Sequence, residues 1–172
     1  TMRLWAEEKK LGTIELLLTM PLREGEVVAG KFLAAFAFLA ITLAFSLTIP
    51  ASLVYLGDPD LGVIAGSYVG ALFLGSAYLA IGLYISSISE NQVVAFIISL
   101  AVIFVLLLIG IAPLWLNAVG SVVAICEYIS LLSHFNNITR GVIDSRDVVY
   151  YLSVIALFLY LNVKNIEARK WR

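Results

Sequence analysis

Charged residues are scarce in this chain: 13% of its 172 residues are Asp, Glu, Lys or Arg, where a soluble globular domain carries about a quarter. That shortage, with 62% hydrophobic residues and a mean hydropathy of +1.01, excludes a soluble fold. Cys126 is the one cysteine, so no internal disulfide can form and cysteine usage leaves the redox compartment unread. His134 is the one histidine. Paired glutamates at Glu7 and Glu8 therefore lack the histidine pair of a membrane-embedded metalloprotease. A lone His also supplies no nucleophile with its base, and it reads as a hydrogen-bonding loop residue. Formal net charge is -1 and pI about 5.8, without the basic face that a nucleic-acid partner requires. The chain opens on Thr1 in a polar stretch with no signal peptide, which leads us to expect further spans upstream.

What the chain does have is long apolar runs. Phe32–Gly57 (26 residues), Leu61–Ser89 (29) and Asn91–Cys126 (36) contain no Asp, Glu, Lys or Arg, and Val148–Val163 (16) follows. A helix crosses a bilayer with about 20 apolar residues, within a range of about 17 to 25. The first three runs qualify, and the fourth reaches across with help from its flanks. The expected fold class is an all-α membrane protein, a polytopic helical bundle with spans at about 32–56, 61–88, 93–116 and 146–164. A cytoplasmic segment, 1–31, precedes the transmembrane domain, 32–172.

Lys and Arg near membrane ends favour the cytoplasmic side. Arg3, Lys9, Lys10, Arg23 and Lys31 precede the first span, Lys164, Arg169, Lys170 and Arg172 follow the last, and only Arg140 and Arg146 lie between. Both ends of the chain are thus expected in the cytoplasm of a cell (inner) membrane. Asp58-Pro59-Asp60 and the segment around Asn117 to Asp147 are then external, and Ser89-Glu90-Asn91-Gln92 is a cytoplasmic turn.

In the cytoplasmic segment Thr13 is the expected N-cap of a short helix, Ile14 to Met20, with Glu15 in its first turn and Pro21 as its stop. So short and apolar a helix belongs against the membrane face or a partner protein. Gly25, Gly30 and Lys31 match the spacing of a phosphate-binding loop. The match is a coincidence, because Phe32 stands where that loop needs Ser or Thr and no strand precedes it. ATP must then be bound by another chain.

Gly62, Gly66, Gly70 and Gly75 give the second span a small-residue face that admits close helix packing, within this chain or at a dimer seam. Asp60 is placed to cap that span, Ser89 with Gln92 to form a capping box for the next, and Asp144 with Asp147 to cap the last. Between Pro113 and Asp147 the chain stays apolar without the length for a span and return, so a re-entrant helical hairpin at about 117–145 is expected. Glu127 within it either snorkels to the outer interface or lines a pathway. With His134, Arg140 and Asp144 it forms the candidate external gate.

Three ordered segments carry a family resemblance. Glu7 to Pro21 followed by Gly30-Lys31-Phe32 resembles the loop leading into the third span of ABC-2 type transporter permeases, and Ser86 to Gln92 resembles their turn between the fourth and fifth spans. Ser133-His134-Phe135 with Arg140 to Tyr150 resembles the gliding-motility-associated permeases of that group. The resemblance implies a six-span fold of which the third to sixth spans are present, with external re-entrant helices before the last. It implies an amphipathic coupling helix at about Glu8 to Pro21, in which Glu8, Thr13, Glu15, Leu16, Leu17, Leu18 and Pro21 meet a separate ATPase subunit. The implied assembly is two permeases, identical or not, with two ATPase copies that bind ATP and magnesium, while this chain binds no cofactor and catalyses nothing. Where relatives often place a Ser-Asp type cap after the proline, this chain has Arg23-Glu24-Gly25, a weaker helix start. Rival readings are a membrane anchor for a cytosolic complex, a secondary transporter and, last, an intramembrane enzyme.

Overall fold

The computed structural model describes residues 1, 3–13, 23–115, 121–141 and 144–170. Of these, 89% are helical and none lies in a strand. The helices are α1 (Arg3–Lys10), α2 (Glu24–Ser46), α3 (Thr48–Leu56), α4 (Leu61–Ile88), α5 (Gln92–Trp115), α6 (Ser121–Ile129), α7 (Leu131–Thr139) and α8 (Ser145–Lys170). Among the described residues, four stretches are long and apolar enough to cross a membrane: Glu24–Leu56, Leu61–Ile88, Gln92–Ile111 and Ser145–Ala168. The chain is an all-α, multi-pass membrane protein, as its uncharged runs required.

The first of these stretches runs from α2 into α3 across a break at Leu47. Pro50 has no N–H to offer the carbonyl of Ser46, and the Leu47 amide turns instead to Ala44 at 3.2 Å. Around this stretch apolar side chains face outward, with Phe38 75%, Phe45 76% and Leu56 81% exposed. In water so large an apolar surface would drive association. In lipid it is the solvated face. By contrast, half of the most apolar stretch of α4 is buried, and Ala77, Ala80, Ile81 and Leu83 have no exposed surface.

The chain forms two compact units. Unit 1 comprises Thr1–Ala37, Ser76–Val102 and Ser153–Arg172, and so holds α1, the beginnings of α2 and α5 and the ends of α4 and α8. Unit 2 comprises Phe38–Gly75 and Ile103–Leu152, with α3, the beginning of α4, α6, α7 and the first turns of α8.

Local hydrogen bonds explain the helix starts and correct two expectations. Asp60 Oδ1 accepts from the amides of Gly62 (2.8 Å) and Val63 (3.4 Å), an N-cap as its position suggested. The third span starts differently: Asn91 Oδ1 accepts from the Val93 amide at 2.9 Å, and Gln92 is already the first helical residue. A capping box needs its Gln at the third helical position, so the Ser89–Gln92 box does not form. At α8, Asp144 Oδ1 accepts from the Arg146 amide at 3.0 Å, whereas Asp147 turns its carboxylate inward to His134. The weak-looking start of α2 is supported by Glu26, whose Oε2 accepts from the Arg23 amide at 3.3 Å, the reciprocal half of a capping box. Gly25, Gly30 and Lys31 all lie inside α2, a continuous helix and no phosphate loop.

Candidate functional site

The first four amides of any helix lack intrahelical partners. In α1 two of them, from Trp5 and Ala6, converge on the hydroxyl oxygen of Ser86 near the end of α4, at 3.3 and 3.2 Å. The exchange is mutual, because the end of α4 has unsatisfied carbonyls. Lys9 Nζ donates to the carbonyl of Ser87 and, at 3.4 Å, to that of Ser89. Asn165 Nδ2 of α8 donates to the carbonyl of Ser87 at 2.9 Å and to its hydroxyl at 3.0 Å. From α2, Lys31 Nζ donates to the carbonyl of Leu4 at 2.6 Å and to the carboxylate of Glu8, and lies 4.5 Å from the ring centre of Trp5. Beneath these ties Trp5, Val28, Leu83 and Ile166 form a buried apolar cluster. Unit 1 is therefore a clamp: α1 is held at its backbone amides, its side chains and its apolar face.

The expected ATPase-contact residues separate here. Glu8 turns an oxygen inward to Lys31 rather than offering it outward, because the part-buried ammonium is the better partner, and its side chain is 30% exposed. Thr13 spends its hydroxyl on the carbonyl of Glu8 at 3.3 Å, completing the end of α1. Gly12, at φ +70°, makes the left-handed turn that ends that helix. Glu15, Leu16, Leu17, Leu18 and Pro21 lie outside the described residues.

Unit 2 holds its own short helix. Ser130 caps α7 by accepting from the Ser133 amide at 3.1 Å, and Leu131, His134 and Ile138 form its buried face. His134 is thus a buried helical residue and not a loop residue, since the spacing of these positions fits a helical stripe. Its Nδ1 meets Asp147 Oδ1 at 2.6 Å, its Nε2 meets the carbonyl of Tyr128 at 3.1 Å, and its ring stacks on Tyr150 with centres 4.0 Å apart. The hydroxyl of Tyr151 donates to the carbonyl of Leu131 at 2.7 Å. An imidazole oriented by a carboxylate is also half of a catalytic triad. Here, however, Nε2 faces a backbone carbonyl, where a triad would place its nucleophile.

Glu127, Arg140 and Asp144 are exposed, and no ion pair joins them to one another or to His134 among the described residues. The glycine face of α4 meets unit 2 neighbours. A Cβ at Gly66 would stand 2.5 Å from the carbonyl oxygen of Ile138, one at Gly70 would stand 3.1 Å from the ring of Phe135, and one at Gly75 would stand 2.6 Å from Leu39. Gly62 lies beside Asp60, whose Oδ1 would be 3.2 Å from such a Cβ.

Sequence reasoning missed Asn165, gave Ser86 and Ser87 no more than a place in the family turn, and took Lys31 as a topology signal and part of two spacings rather than as a tie to α1. Two adjacent serines at the end of an apolar run were a usable signal, but their partners lie about 80 positions away for Ser86 and 78 for Ser87. Asp147 was read as a cap because its distance along the chain from Asp144 is all that a sequence displays.

A search of curated proteins finds no match. The profile of the ABC-2 family transporter proteins matches residues 1–164, nearly the whole chain and both units, and the chain belongs to that family.

Proposed function

We propose that this chain is the membrane subunit through which a separate ATPase drives a substrate across a cell membrane. Family membership supports a permease role, and permeases of this kind are membrane components paired with an ATPase. The observation that carries the coupling part is the clamp: residues next to the expected coupling helix are tied at once to α2, α4 and, through Ser87, α8. A push on the expected coupling helix would thus be felt by several spans together, the kind of rigid-body link that biases a two-state membrane domain. Unit 1 contains nine of the eleven basic residues, which supports a cytoplasmic position for it.

The working assembly we infer is two permeases with two ATPase subunits, ATP and magnesium residing on the latter. Kinship with the gliding-motility-associated permeases rests on the Ser133 to Tyr150 motif alone. The test is co-expression with the partner ATPase and purification as a complex. Replacing Glu15, Leu16 and Leu17 by Ala is expected to abolish ATPase binding or its stimulation by the permease. An unchanged complex with unchanged turnover would rule out the coupling assignment and favour a membrane anchor.

A further inference from the structure

We propose that Lys31 is a positioning residue for coupling, joining α1 to α2 so that a displacement of the expected coupling helix reaches the first span. The inference rests on the reading that residues 1–31 receive a push from an ATPase. A lysine at the end of a membrane span ordinarily extends its ammonium to water and lipid headgroups. Lys31 does the opposite: its side chain is 13% exposed, and its ammonium is turned into the protein. Its partners are the carbonyl of Leu4, the carboxylate of Glu8 and the face of Trp5, all from α1. Leu4 and Glu8 stand four residues apart, on one face of that helix. Trp5 is itself fully buried against Val28, one turn before Lys31 in α2. A charge-assisted bond, a backbone bond and a ring contact therefore converge on one flexible side chain, with apolar packing beside it. α1 cannot move without either carrying α2 or separating a part-buried charge from its counter-ion. The amides of Trp5 and Ala6 in the first turn of α1 are meanwhile held by the Ser86 hydroxyl, which links the same helix to α4.

The experiment uses the permease–ATPase complex in lipid nanodiscs, with Cys126→Ser and spin labels at two exposed unit 1 positions, Leu33 on α2 and Val93 on α5. Trapping with ATP and vanadate is expected to shift the label distance in the complex that keeps Lys31. Lys31→Met is expected to leave ATPase binding and hydrolysis in place while the shift is lost, and Lys31→Arg to restore it. Should Lys31→Met prevent folding, the Glu8→Gln/Lys31→Met pair leaves neither charge unmatched and is expected to fold and still lack the shift. A shift of wild-type size in either Met variant overturns the role of Lys31. Absence of the shift in the complex that retains Lys31 instead overturns the coupling reading on which it rests.

Discussion

The clamp of unit 1 and the α7 dock of unit 2 solve one problem with different materials. Each fixes a short helix that is too small to be stable alone. In unit 1 the ties are long: Lys9 and Lys31 reach carbonyls and a carboxylate through flexible four-carbon stems, and Glu8 keeps part of its side chain in solvent. In unit 2 they are short and nearly dry: His134 and Asp147 expose 11% and 5% of their side chains, and the carbonyl of Ile138 approaches α4 at Gly66, where no Cβ would fit. A lysine's long stem keeps its ammonium on its partner through small fluctuations, while a larger displacement of α1 must carry α2 with it or break the pair. An imidazole–carboxylate pair and a backbone carbonyl against a glycine have no such stem. Unit 1 is thus tied by long, partly exposed contacts, and unit 2 by short, buried ones.

That contrast is measurable. The largest effect is expected from Asp147→Ala, which leaves His134 buried beside an empty position; breaking a buried pair costs about 3–5 kcal/mol. Reversible denaturation in mixed micelles would read it. Gly66→Val comes next, at about 1–3 kcal/mol, because the added carbons must push back a carbonyl oxygen in a packed region. The same titration checks it, and wild-type stability for Gly66→Val would mean that α7 is not held close to α4. Ser86→Ala is expected to cost only about 1 kcal/mol, the loss of a capping oxygen, with Lys9 and Lys31 still holding α1. A penalty equal to that of Asp147→Ala would break the comparison by showing the clamp to be as rigid as the dock. Lys164→Ala removes an exposed i,i+3 pair with Glu167 and should leave the midpoint unchanged.

Much of the fold was legible before any coordinates. Uncharged runs located the spans, and Asp60 and Asp144 announced two helix starts through the residue types that cap helices. Asn91 was overlooked because Ser89 and Gln92 offered a pattern at the right spacing, and only the actual first helical residue decides which oxygen meets which amide. The glycines of α4 promised a close approach without naming the partner. The candidate site was less legible. Lys31 looked like a topology marker and His134 like a loop residue, since a side chain's identity says nothing about the direction in which it points.

By itself the sequence determined that this is a membrane protein of long helices, because transfer into lipid is a sum over neighbouring residues and needs no knowledge of the rest of the chain. Only the tertiary structure decided which polar groups answer one another: Ser86 with α1, Asn165 with Ser87, Lys31 with Glu8, His134 with Asp147. Such pairings depend on distance and direction in space. A buried polar group must find a partner, but the partner can come from any stretch that folding brings near, and no local pattern records which one it will be.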